Sequence, residues 1–415
     1  MNDKLITSKA DSKSREEANY DYRPIAMVFI GLPFFIIFLR FTYTVSPEEL
    51  SEYWATSGGM GSFVGGIAGP SVSLAAFIYL YLSFKKQRES NQTQLQVFNY
   101  EKIETRFFEL VKLHRDNVKE MTFTFFVKYK YENGKAIEKI ERTIYHRHVF
   151  YAIVRQFDEA VGELNFLFEN NDIYSIYEDS YLEKLQKNET LINRKIDILL
   201  YAKIDLIYLI IFFGVAKEGK STIMKIVTNK YQNNFVYTLI NVAALKPKME
   251  SKHRKKWIQI NNLNNGELTT RIANEQIQNK CSTLTKKYYY PDHYEKYYGG
   301  HQFRLGHYFR HLFQTVNFIN DQKSLSTDER YSYVKLLRGQ LSNYEQILFF
   351  FNSLSQLGRV WEFEDKITGG VIPLDMQLVT NYEIIKNIPN DRICIDIRFS
   401  DFYPEINFEG SRVKD

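Results

Sequence analysis

Three scarcities set the first limits. Cysteine occurs only twice, as Cys281 and Cys394, with no CxxC pair. That argues against a disulfide framework or a thiolate zinc site and fits a reducing compartment. Proline is sparse, with 9 residues in 415, and together with long periodic stretches this favours helices over a sandwich or barrel. An excess of one charge is also missing: 54 Lys and Arg against 49 Asp and Glu leave +5. Such a charge suits a protein beside an anionic surface and is far from the footprint of a dedicated nucleic-acid binder.

Aromatic residues are plentiful, with 32 Phe and 30 Tyr, and the chain is long enough for one large or two medium cores. The overall hydrophobic content of 44% is ordinary, so a membrane part would have to be local. Residues 1–23 are polar and read as a disordered lead-in. Residues 24–84 read as a transmembrane hairpin, with spans at Ile25–Val45 and Phe63–Phe84 around an acidic loop holding Glu48, Glu49 and Glu52. Lys4, Lys9, Lys13, Arg15 and Arg23 precede the first span, and Lys85, Lys86 and Arg88 follow the second. The positive-inside rule then places both termini in the cytoplasm. Gly61, Gly65, Gly69 and Ser73 recur every four residues. This small-residue face would allow close packing between the two spans or between hairpins of a homo-oligomer in the bilayer.

The expected fold class is therefore mainly α: a two-span hairpin followed by a large helical cytoplasmic domain. Leu95, Phe98, Ile103, Phe107, Leu110 and Val111 fall at helical spacing, marking residues 85–120 as a stalk before a domain over 121–415. Helical patterns continue through Tyr145–Phe168 and Tyr181–Phe213. Residues 246–281 read as a polar insertion, and its Lys246–Lys256 cluster is a solvated loop with nucleic acid or anionic lipid as the alternative partner. Gly214–Ser221 fits the G-x-x-x-x-G-K-S phosphate-loop spacing. However, Asp197, Tyr201, Asp205 and Tyr208 before it have the polar stripe of a helix rather than of a buried strand, so the match reads as fortuitous, and no cofactor is expected.

Three of the eight histidines lie in the stretch Gly300-His301-Gln-Phe-Arg304-Leu-Gly306-His307-Tyr-Phe-Arg310-His311. Gly306 reads as a helix entry, followed by an apolar stripe with His307 and His311 on another face. The capping box Ser326-x-x-Glu329 then opens a helix running to about Gly358, with Arg338, Glu345 and Asn352 on a single face. Packed antiparallel, the two helices would bring His307, Arg310 and His311 near Arg338 and Glu345. Three readings stay open: a buried structural network, an anion or partner pocket built from His301, Arg310, Arg338, Glu345 and Asn352, and a catalytic site at Arg304, His307 or His311. No metal site is expected, because His307 and His311 have ligand spacing but lack a third ligand. Arg304 and His311 fit the loose R-x(4–6)-H pattern of HEPN ribonucleases, in which His is the acid–base and Arg stabilises phosphate, and Arg142…His148 fits it as well.

Several longer motifs carry a family resemblance. The run Gly300–Gln314, then Tyr333…Leu337-Arg338-Gly-Gln-Leu-Ser-Asn-Tyr-Glu345…Asn352, then Leu378-Val-Thr-Asn-Tyr-Glu-Ile-Ile-Lys-Asn-Ile-Pro389 resemble the AbiC-like phage abortive infection family of bacteria. The segment Gly61–Pro70 followed by Leu82…Gln87 is similar to the membrane part of such proteins. The resemblance implies antiviral defence in which an infected cell stops growth or dies before phage progeny mature. Joined to the hairpin, it gives an effector anchored in the bacterial inner membrane, in which a phage-derived or defence-system partner triggers growth arrest or membrane perturbation. It implies no particular reaction; a membrane-tethered HEPN-like ribonuclease is the alternative.

Overall fold

The structure, a computed structural model, describes residues 69–132, 135–248, 295–365, 370–389 and 397–409, together with a few single residues. It is mainly helical, as the sparse proline and the periodicity require. It divides into two units, residues 1–104 and 105–415.

The membrane expectation does not hold. No helix among the described residues is long and apolar enough to cross a membrane, so the two-span hairpin and the inner-membrane location derived from it are both unsupported. The helix α1 covers Gly69–Lys119, and its apolar part ends at Lys85 and Lys86. Among the described residues that apolar part is Gly69–Phe84, about 24 Å at 1.5 Å per residue, against a hydrocarbon core of roughly 30 Å; residues 63–65, 67 and 68 of the second expected span lie outside the described ones. Pro70, Ser71, Ser73 and Ser83 further dilute it. The first expected span, Ile25–Val45, lies outside the described residues except for Arg40 and Tyr43, and Gly61 and Gly65 lie outside them too. Of the small-residue face, Ser73 bonds back to the Gly69 carbonyl at 2.9 Å.

Within the second unit, Phe107, Leu110, His114 and Val118 of α1 are buried at helical spacing. After α1 comes an antiparallel hairpin, β1 Thr122–Glu132 and β2 Lys135–Tyr145. Helix α2, His148–Glu169, buries a broad apolar face from Val149 to Phe168. Three short helices follow: α3 Ile173–Ile176, α4 Asp179–Gln186 and α5 Glu189–Asn193.

Helix α6, Ile198–Phe213, is the axis of the domain. Its sequence is predominantly apolar, with Lys203 and Asp205 its only charged residues, and a helix of that kind must be surrounded; every residue from Tyr201 to Phe212 is buried. Asp205 and Tyr208 on it are matched. Asp205 accepts from Tyr231 Oη at 2.6 Å and from Arg359 Nη2 at 2.8 Å, and Tyr208 Oη accepts from Asn352 Nδ2 at 3.1 Å. Helices α7 Lys217–Val227, α8 Asn233–Ala244 and α9 Gln302–Asn320 complete the shell with α10 Thr327–Arg338, α11 Asn343–Leu354 and the one-turn α12 Leu378–Asn381.

The single helix expected from Ser326 to Gly358 is in fact two. Ser326-x-x-Glu329 forms a capping box for α10, and Ser342-Asn-Tyr-Glu345 forms a second one for α11. A Ser whose side chain takes the backbone N–H three residues on starts a helix rather than continuing one. Glu345, expected on a continuous helical face, is thus the cap partner of a new helix. Similarly, Gly306 is not a helix entry: α9 begins at Gln302 and carries Gly306 inside it.

Candidate functional site: a basic cleft beside the His–Arg segment

The entry to α9 is fixed by backbone contacts that only glycine allows. Gly214 ends α6 at φ 77°, and Gly300 adopts φ 88°. A Cβ on Gly300 would lie 2.7 Å from the Phe213 carbonyl, and one on Gly214 would lie 2.6 Å from Gly299. At this crossing His301 N–H donates to Phe212 O at 2.8 Å and Val215 N–H to Tyr298 O at 3.0 Å. The phosphate-loop spacing thus has a structural origin. Helix α6, not a strand, feeds it, and Gly219 is there because a Cβ would meet the Gly214 carbonyl at 2.3 Å. Lys220 is engaged elsewhere, donating to Asn241 Oδ1 at 2.9 Å and lying over the Tyr237 ring.

His301 is buried, with Nε2 2.8 Å from Gln156 Oε1 and Nδ1 3.3 Å from Arg304 Nη1. Burial first and the Arg304 charge second push its pKa down to about 3, so it is a neutral, positioning imidazole. Arg304 donates Nε–H to the Thr122 carbonyl at 2.6 Å and lies over the Phe303 ring at 4.0 Å. Half-burial lowers its pKa to about 10, which still leaves it charged at neutral pH.

Arg304 forms one wall of an open cleft of about 1300 Å³. The hairpin supplies Phe123, Arg142 and Tyr145, the connection to α2 and its first turns supply His146, His148, Tyr151 and Arg155, and Lys217, Lys248, Lys296 and Tyr297 close the far side. Six cationic side chains, Arg142, Arg155, Lys217, Lys248, Lys296 and Arg304, face two carboxylates, Glu159 and Glu295. Both carboxylates are engaged: Glu295 pairs with Lys248 at 2.9 Å and Glu159 with Lys246 at 2.9 Å. The cleft is therefore cationic, with aromatic rings between the charges. Lys246, expected on a solvated loop, is buried between Glu159 and Glu163 and lies 3.8 Å from the Tyr297 ring centroid; residues 249–256 lie outside the described ones.

The other candidates separate into three places. His311 and Glu345 converge on a residue that the sequence reading did not single out, His114 of α1. The His114 and His311 rings stack at 6.4 Å, and His114 Nε2 is 3.9 Å from Glu345 Oε1. Tyr308 Oη donates to the same carboxylate at 3.2 Å, and Arg147 Nε is 3.6 Å from it. Burial raises the Glu345 pKa, opposed by its Ser342 hydrogen bonds and by Arg147. The ring nitrogens of both histidines are buried without a hydrogen-bond partner among the described residues. Arg338 does not join this group; it donates to the Tyr382 and Glu383 carbonyls. His307 and Arg310 sit elsewhere again, 3.4 Å apart on the exposed side of α9, where Arg310 and Asn352 line a smaller cavity. Arg304 lines the cleft and His311 does not, whereas both members of the second pattern, Arg142 and His148, do. Among the described residues no group of three or more His, Cys, Asp or Glu is placed to hold a metal ion.

Together these features define a class: a helical domain built around a buried apolar helix, with a cationic cleft at the start of its His–Arg helix and no phosphate loop. Residues 300–369, which include that helix and α11, match the family model described as "Putative phage abortive infection protein". The resemblance read from Gly300–Gln314 and Tyr333–Asn352 is therefore shown for this segment. No curated protein and no solved structure matches the chain.

Proposed function

We propose that this chain acts in phage abortive infection by binding a single-stranded RNA in the cationic cleft. The observation that carries the reading is the charge arrangement. Arg142, Arg155, Lys217 and Arg304 line the cleft, while its two carboxylates are already held by lysines. Exposed Tyr145 and Tyr151 stand among those charges. Cations tracking a backbone, with rings on which bases stack, are the chemistry of single-strand recognition. The direct test is fluorescence anisotropy of a labelled RNA oligonucleotide as salt is varied. Arg142→Gln with Arg155→Gln is expected to weaken binding about tenfold or more at low salt. It should also flatten the log Kd against log salt slope by about 0.7 for each lost phosphate contact. Binding that is absent, or that the double variant leaves unchanged, contradicts the proposal.

A second reading is favoured by Arg142 and His148 sharing the cleft wall with His146. In a metal-independent ribonuclease one imidazole removes the 2′-hydroxyl proton as that oxygen attacks phosphorus. A second imidazole protonates the departing 5′-oxygen, and the guanidinium stabilises the phosphorane charge. His148→Ala would then abolish cleavage while leaving RNA affinity within about threefold, since the arginines and lysines of the cleft carry the phosphate contacts. Intact RNA after prolonged incubation with the wild-type chain rules this reading out and leaves the binding proposal standing.

A further inference from the structure

A second cavity, of about 560 Å³, adjoins the same glycine crossing; Gly299 and Gly300 border both it and the cleft. Its volume falls in the range of small-molecule sites. Phe212 and Phe213 from the end of α6 and Phe303 and Phe309 from α9 contribute its aromatic walls. Phe303 is 69% exposed, a large ring left in water at the rim, with the Arg304 guanidinium over it at 4.0 Å.

The polar groups have a division of labour. Arg310 supplies the cationic side with His307 beside it, and no acidic residue is among the described residues lining the cavity. Arg310 is oriented by donating Nε–H to the Gly306 carbonyl at 2.9 Å, with Nη2 3.4 Å from His307 Nδ1, and it forms no ion pair with a described carboxylate. Such a guanidinium, aimed and uncompensated, suits a phosphate. At the inner end stands Asn352, 3% exposed. Its Nδ2 is used by Tyr208, while its Oδ1 accepts no hydrogen bond from a described side chain. An amide oxygen beside aromatic rings can accept from the exocyclic amine of a nucleobase.

Gly306 adds an independent observation. It stands inside α9, where glycine weakens a helix relative to alanine. Yet a Cβ there would meet only ordinary contacts, Phe212 Cζ at 3.8 Å and Arg310 Nη2 at 3.9 Å. Unlike Gly214, Gly219 and Gly300, it is not required by packing. What it leaves open is the floor of this cavity.

We propose that this cavity binds a mononucleotide carrying an exocyclic amine: the base lies against Phe303 with its amine toward Asn352 Oδ1, and the phosphate lies on Arg310 and His307. Because the cavity and the cleft share the Gly299–Gly300 wall and the Phe303–Arg304 stack, the nucleotide is placed to act on the cleft as a small-molecule signal. The test is isothermal titration of the full chain with AMP, with UMP, adenosine and inorganic phosphate as comparison probes. AMP is expected to bind at least about tenfold more tightly than any of the three, since one well-placed interaction is worth about that factor. Arg310→Gln, which removes a surface charge and leaves the fold intact by circular dichroism, should weaken AMP by about tenfold or more and adenosine by less than about twofold. Phe303→Ala, also on the surface, should weaken both. AMP binding that is undetectable, that UMP equals, or that Arg310→Gln leaves within twofold overturns the proposal. The titration contains no RNA, so its result is independent of the reading of the cleft.

Discussion

Two imidazoles, His114 and His301, are held neutral by burial, with pKa values pushed down to about 4 and about 3 from an ordinary 6.5. The unfolded chain therefore takes up protons at these positions as the pH falls below 6.5, while the folded chain does not. The sign follows: stability is unaffected above about pH 7, declines as pH drops through 6.5, and stops declining only near the folded values. At pH 5.5 each histidine is expected to cost roughly 1.4 kcal/mol. The check is the urea midpoint at pH 7.5 and 5.5. His114→Leu should reduce the acid-induced drop, because the leucine has nothing to protonate, and equal midpoints at both pH values for the wild-type chain would contradict the assignment. Ser342 is a second residue with a readable cost. Its hydroxyl accepts the Glu345 N–H and positions the carboxylate beneath Tyr308, so Ser342→Ala is expected to lose about 1 kcal/mol or more in the same titration.

At the scale of elements, two glycines on neighbouring helices should respond oppositely to one methyl group. At Gly219 on α7 the Cβ would lie 2.3 Å from the Gly214 carbonyl, a backbone atom that cannot move without parting α6 from α7. Gly219→Ala should therefore destabilise by about 1–3 kcal/mol. At Gly306 on α9 the methyl meets side chains at 3.8 Å or more, and Gly306→Ala should stabilise by about 0.5–1 kcal/mol. Thermal melts of the two variants decide this; a shift of the same sign in both would show that the glycine crossing is not the constraint described. The elements also show why reading was uneven. Helices with an amphipathic stripe or a predominantly apolar run, α2 and α6, announce themselves through periodicity. The β1–β2 hairpin is legible only locally, in strands that flank Asn133-Gly134, a strong hairpin signal. The break between α10 and α11 was hidden because Ser342 and Glu345 sit at helical spacing, and a capping box is compatible with a stripe until the backbone is seen.

At the scale of the whole molecule, the legible part was the one carried by contiguous sequence. The Gly300–Asn352 motifs marked the abortive infection segment, and that segment is the one that matches the family. The cleft was not legible, because its walls come from residues as distant as Phe123, Arg142, Arg155, Lys217, Lys248 and Arg304, and no periodicity links them. Nor was the role of His114, which occupies an ordinary core position of α1 beside Phe107, Leu110 and Val118. The membrane expectation is overturned differently: no helix among the described residues is long and apolar enough to cross a membrane, and the apolar part of α1 stops at Lys85. The proposal central to this account is that protection against phage runs through the cationic cleft. The most direct measurement is the plaque count of a phage to which the wild-type chain gives resistance, on cells expressing Arg142→Gln with Arg155→Gln at matched protein level. Loss of resistance to the level of cells lacking the protein is expected. Resistance equal to wild type, from a stable double variant, would contradict the account.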